Sequence, residues 1–144
     1  MDKSNTYVQQ VQQRLQKLHL EDYVTMTGII DDVSLRKLYG QADLLLNPSV
    51  TNETTFEGFG LVFLEANAYG IPCIGPNTSG ATEAIANGKS GYTVDIENPE
   101  EIAKRMHQIL DEKRIHAETC RSWAEEHSAT VMTQKVESLY KTML

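Results

Sequence analysis

In Glu57-Gly58-Phe59-Gly60-Leu61-Val62-Phe63-Leu64-Glu65 two glycines precede an apolar run, with a carboxylate on either side of the run's start. That arrangement suits a nucleoside diphosphate. From Gly60 to Tyr69 the chain is apolar nearly all round, as expected of a helix buried in protein, and Gly70, Ile71 and Pro72 are the residues that stop one. At its start the helix leaves backbone N–H groups without partners and about half a positive charge from the aligned peptide dipoles. Glycines at 58 and 60 let an anion approach that backbone with no Cβ in the way. Glu65 then lies roughly 7 Å along the axis at about 1.5 Å per residue, leaning back toward the helix start. With a diphosphate on the helix start, Glu65 is placed to accept hydrogen bonds from a ribose, and Glu57 to reach what hangs from the distal phosphate. The competing reading makes Glu65 a solvated helix residue and the glycines mere turn formers. Its apolar neighbours weigh against this, since a carboxylate buried alone costs several kcal/mol.

The elements that must position these residues alternate between helix and strand. Val8, Val11, Leu15 and Leu18 mark one stripe of a first helix over residues 5–20. A short strand is expected over residues 24–27, then a helix capped by Asp31 or Asp32 and running to Gly40, with Leu35 and Leu38 inward. The run Leu44-Leu45-Leu46 reads as a strand covered on both faces, ended by Pro48. After the motif helix come a strand over residues 72–75, a short helix capped by Thr78 or Ser79 through Ala86, and a strand over residues 91–95. Asn98-Pro99 opens a helix to about Lys113 with Ile102, Met106 and Ile109 on its apolar side. Helices around Trp123 and over residues 129–143 follow, the last with Val131, Val136, Leu139 and Tyr140 as a broken stripe. Such alternation predicts an α/β fold, a Rossmann-like parallel sheet with helices on both faces and ligands at the carboxyl ends of its strands.

Composition narrows the function further. A net charge of −7 with acidic residues spread along the chain argues against nucleic acid. It does not argue against a diphosphate, whose site is made by local N–H groups rather than by net charge. Cys73 and Cys120 lack metal-ligand spacing and read as reduced structural thiols. The four histidines, His19, His107, His116 and His127, are isolated from one another and from the motif. No metal or cofactor is expected. With no apolar signal core and no run of transmembrane length, the expected setting is cytoplasmic.

Pro48-Ser49, Glu57-Gly58-Phe59-Gly60 and Glu65-Ala66 resemble the paired-glutamate motif of family 4 glycosyltransferases, retaining enzymes of the two-domain GT-B fold. Val24-Thr25-Met26-Thr27-Gly28, Leu38-Tyr39 with Ala42-Asp43, Gly70-Ile71-Pro72, Ser79-Gly80-Ala81-Thr82-Glu83 and Gly88 with Gly91 follow in the family's order, so the resemblance covers about residues 20–110. It implies that the backbone of Gly58, Phe59, Gly60, Leu61 and Val62 contacts the donor diphosphate and sugar. Glu57 would be the catalytic-site carboxylate on the sugar hydroxyls and Glu65 the ribose ligand, while Gly28 and Ile29 would lie beside the nucleobase. Two departures stand out. The family usually has Gly-Gly where this chain has Ser79-Gly80, and residues 50–56 form a longer stretch than in many members.

By the same resemblance, residues 1–144 are a partial C-terminal donor-binding domain ending in helices over 114–144. The N-terminal acceptor domain, the first strands of the sheet, and a loop whose Arg and Lys grip the diphosphate would be missing. A segment that binds a UDP-, GDP- or ADP-sugar for retaining transfer, inactive alone and able to self-associate through its exposed sheet edge, is the leading expectation. The alternatives are a non-catalytic nucleotide-sugar-binding module or a subunit completed by another chain, and a degenerate fragment that keeps the fold and binds no nucleotide.

Overall fold

Cys73 and Ile74 are consecutive residues of one strand, and pleating sends them to opposite faces and into different cores. In the computed structural model, which describes residues 6–50, 58–78 and 80–143, that strand is the middle of a parallel three-stranded sheet. Its order is β1 (Leu45–Leu46), β2 (Cys73–Pro76), β3 (Gly91–Val94). One face carries Phe63, Ala66, Ile71, Cys73, Ala81, Ala84 and Ile85, largely from α3 (Leu61–Ala68) and α4 (Ala81–Ala84). The other carries Ile74, Tyr92, Val94, Ile109, Ile115 and Cys120, with α5 (Pro99–Leu110) and α6 (Ala117–Glu126) as its helices. The expected α/β sheet with helices on both faces is therefore present. Both thiols are fully buried, and burial pushes the Cys120 thiol up to about 11 and the Cys73 thiol higher still, which keeps them protonated and structural.

The chain divides into two units, Met1–Lys37 and Leu38–Leu144. The first contains α1 (Thr6–Leu18), a 3-10 turn at Glu21–Tyr23 and most of α2 (Asp32–Tyr39). Asp31 caps α2, its Oδ1 accepting the Ser34 N–H at 2.7 Å. Leu35 and Leu38 are exposed rather than inward, for α2 buries no residue at all. The strand expected over residues 24–27 is absent: Val24 is extended, at φ −124° and ψ 116°, but no described residue offers this segment a ladder partner.

Three further expectations need correction within the second unit. β1 is two residues long and Leu46 is 39% exposed, so the leucine run is not covered on both faces. Among the described residues β1 pairs only with β2, and an edge strand keeps one flank open. The helix expected to reach Ala86 is the single turn α4, entered from Gly80 with no side-chain cap among the described residues. It ends early because Ile85 turns extended to enter the core and the Ala86 N–H is taken by Ser90 Oγ at 3.1 Å. Ser79 lies outside the described residues. In α7 (Ala129–Met143) Val131 is half-buried, but Val136, Leu139 and Tyr140 are exposed. By contrast α5 begins where Asn98-Pro99 places it, with Asn98 Oδ1 accepting from the Glu101 N–H at 3.1 Å and Ile109 buried beneath.

Candidate functional site

Gly60 adopts the left-handed region, φ 83° and ψ 54°, as the residue that turns the chain into α3. Among the described residues no side chain caps this end, and the first backbone bond into the helix is Phe63 N–H to the Gly60 carbonyl at 3.0 Å. The amides of Leu61 and Val62 precede that bond at the positive end of the dipole. Gly58 is exposed, and among the described residues a Cβ built on it meets nothing within 4 Å. Glu57 lies outside the described residues.

The other end of α3 is closed as its residues require. Gly70, at φ 82°, donates to the Asn67 carbonyl at 2.8 Å and Ile71 to the Ala66 carbonyl at 3.0 Å, the Schellman pattern. Arg121 from α6 lies against Gly70 and donates to the Tyr69 carbonyl at 3.3 Å, a cation at the negative end of the helix.

α3 is less enclosed than its composition predicts. Phe63, Leu64, Ala66 and Asn67 are buried, whereas Leu61, Glu65, Ala68 and Tyr69 form an exposed face. Glu65 is therefore not a buried carboxylate in need of a partner: it faces solvent, one turn on from Leu61. Tyr39, the last residue of α2, approaches it, its hydroxyl 3.4 Å from Glu65 Oε2 and its ring stacked on Tyr69 at 5.3 Å. A cleft of about 510 Å³ opens beside the same face, with Leu61, Glu65 and Ala68 on one side and Arg121, Glu125 and His127 on the other, a volume in the range of small-molecule sites.

Residues to which the motif assigns no role hold its loop in place. Gly80 meets the loop backbone so closely that a Cβ there would stand 2.1 Å from the Gly58 carbonyl oxygen. Trp123 donates through Nε1 to the Ala84 carbonyl at 2.8 Å, and the His127 ring packs 4.2 Å from Trp123 and 6.4 Å from Phe59. His127 is thus a satisfied histidine, its Nδ1 2.8 Å from the Trp123 carbonyl, but it is not remote from the motif in space. Gly80 and Tyr39 do stand in short motifs of the chain; nothing in spacing points to Trp123 or His127. Gly28 and Ile29 belong to the first unit, Gly28 at φ 64° and Ile29 fully exposed.

A parallel sheet with helices on both faces is a Rossmann-like arrangement, and the structural neighbours of the chain are GT-B glycosyltransferases. The family model of glycosyl transferases group 1 matches residues 4–129, and the chain belongs to that family. It is similar to an N-acetyl-alpha-D-glucosaminyl L-malate synthase of Bacillus anthracis, 33% identical over 131 residues, 91% of this chain and 32% of that protein. A GDP-mannose-dependent alpha-(1-6)-phosphatidylinositol monomannoside mannosyltransferase of Mycobacterium tuberculosis is 35% identical over 91 residues, 62% of this chain and 24% of its own. Among solved structures, Anabaena HepE in complex with UDP-glucose aligns with a TM-score of 0.73 at 25% identity, over 97% of this chain and 38% of that one. The chain spans about a third of the length of the first of these relatives. Among the described residues no helix is long and apolar enough to cross a membrane.

Proposed function

We propose that the chain is the donor-binding part of a retaining, family 4 type glycosyltransferase and holds a nucleoside-diphosphate sugar at the start of α3. The observation that carries this reading is the α3 N-terminus behind Gly60, which no side chain caps and where nothing lies over Gly58 among the described residues. There the Gly58, Phe59, Gly60, Leu61 and Val62 backbone takes the diphosphate, and Glu65 accepts the ribose hydroxyls. Glu57 would lie on the sugar and Gly28 and Ile29 beside the base. The similar solved protein holds UDP-glucose and a similar curated one is GDP-mannose-dependent, so the backbone cradle is the common part and the base the variable one. Acceptor binding and water exclusion belong to the remainder of a full-length enzyme; the 144 residues by themselves bind donor without transferring it.

Calorimetric titration with UDP, GDP, ADP and pyrophosphate tests this. Weak binding of at least one nucleoside diphosphate is expected, with Glu65→Ala reducing its affinity more than that of pyrophosphate. Equal losses for both would remove the ribose assignment, and no binding of any of them would remove the donor site. Sugar transfer by the 144 residues alone would show that the acceptor side is also present.

A further inference from the structure

Glu65 is exposed, and among the described residues Tyr39 is its one hydrogen-bond partner. Tyr39 is held independently of that bond. Its half-buried ring lies on Tyr69 at 5.3 Å with 22° between the planes, and Tyr69 is the residue that ends α3, fixed there by its own N–H bond to the Ala66 carbonyl at 3.0 Å. Glu65 and Tyr69 stand four apart on one helix, so they are neighbours on its surface. A ring laid on Tyr69 therefore brings its hydroxyl to Glu65. Burial, followed by the Glu65 charge and the hydrogen bond to it, pushes the Tyr39 phenol up to about 12, so around neutral pH it is protonated and donates.

We propose that Tyr39 is a positioning residue for nucleoside recognition, its O–H holding the Glu65 carboxylate in the orientation that meets the ribose hydroxyls. The proposal rests on the reading of Glu65 as the ribose ligand. An unrestrained surface glutamate loses rotamer freedom when a ligand engages it, and a carboxylate already held loses less. Accepting one phenolic bond at Oε2 uses one of about four lone-pair sites, leaving the others for the ribose.

Tyr39→Phe keeps the ring on Tyr69 and removes only the hydroxyl. Titrations of wild type, Tyr39→Phe, Glu65→Ala and the double variant with UDP, ADP and GDP, their 2′-deoxy counterparts and pyrophosphate form the test. Returning rotamer freedom to this one carboxylate side chain predicts about a threefold to tenfold weaker nucleoside diphosphate in Tyr39→Phe. Pyrophosphate affinity should be unchanged, and the penalty for removing the 2′-hydroxyl smaller than in wild type. In the Glu65→Ala background the Tyr39 change should add nothing. A purely structural role would instead lower pyrophosphate and nucleotide affinity together, or add to Glu65→Ala, and either result overturns the proposal. So does an unchanged nucleotide affinity in Tyr39→Phe while Glu65→Ala weakens it, which leaves the ribose assignment standing. If Glu65→Ala itself leaves the 2′-hydroxyl penalty intact, the ribose assignment falls and this proposal with it.

Discussion

A methyl group added at Gly80 would stand 2.1 Å from the Gly58 carbonyl oxygen and 2.5 Å from the Phe59 Cα, whereas one added at Gly58 meets nothing within 4 Å among the described residues. These two glycines separate architecture from ligand space. Gly80→Ala must push the motif loop away from α4. Overpacking of this kind costs about 1–3 kcal/mol, so urea unfolding should show a lower midpoint, with nucleotide and pyrophosphate affinity falling together. Gly58→Ala should leave stability within about 0.5 kcal/mol of wild type while weakening both ligands, because its methyl enters the space assigned to the diphosphate. A Gly58→Ala variant that binds normally would show that the anion does not sit over this residue.

Elements defined by local chemistry were legible in the sequence, and those defined by neighbours were not. α5 starts at Asn98-Pro99 because an Asn side chain at the cap and Pro at the first helical position are sufficient instructions. Gly70 likewise ends α3 by itself, at φ 82°. The extent of α4 depends instead on Ser90 capturing the Ala86 amide, and the exposure of Glu65 on which face of α3 meets the sheet; neither is written in the local run of residues. Much the same holds for the site: the glycine loop and Glu65 are local signals, while Tyr39, Trp123 and His127 reach it only through folding. Asp31 gives the element scale its own test. Its carboxyl is held below the usual value by the bonds from Ser34, so the charged form is the one that favours folded α2. The stabilisation is complete above the carboxyl's unfolded-state pKa, near 3.8, and disappears as pH falls through the lower folded value. An NMR acid titration should find the Ser34 amide and the Asp31 carboxyl shifting together, with their midpoint below that of a free aspartate. In Asp31→Ala the Ser34 amide should lose this transition and exchange faster. A normal Asp31 midpoint would show that the cap does not form in solution.

At the scale of the whole molecule, the question is what happens at the β1 side of the sheet. Leu45 donates to the Pro72 carbonyl and Asn47 to the Ile74 carbonyl, each at 3.0 Å, so alternation along a parallel strand turns the Leu46 N–H away from β2. Among the described residues no strand lies on that side, and Leu46 itself is 39% exposed. Val136, Leu139, Tyr140 and Met143 add exposed apolar surface on α7. An open strand edge and uncovered apolar area both favour association with a second copy, while a net charge of −7 opposes it. Salt screens the repulsion and leaves the apolar attraction. Light scattering should therefore show an apparent mass that rises with protein concentration, and rises more steeply in high salt. Hydrogen exchange at low concentration should find the Leu46 amide fast and those of Leu45 and Asn47 slow, with Leu46 becoming protected as association proceeds if the edge is where copies meet. Protection of Leu46 without association would mean that the chain closes its own edge. A monomer at every concentration and salt level, with Leu46 exchanging freely, would mean that the open edge and the apolar surface do not drive association even when the charge is screened.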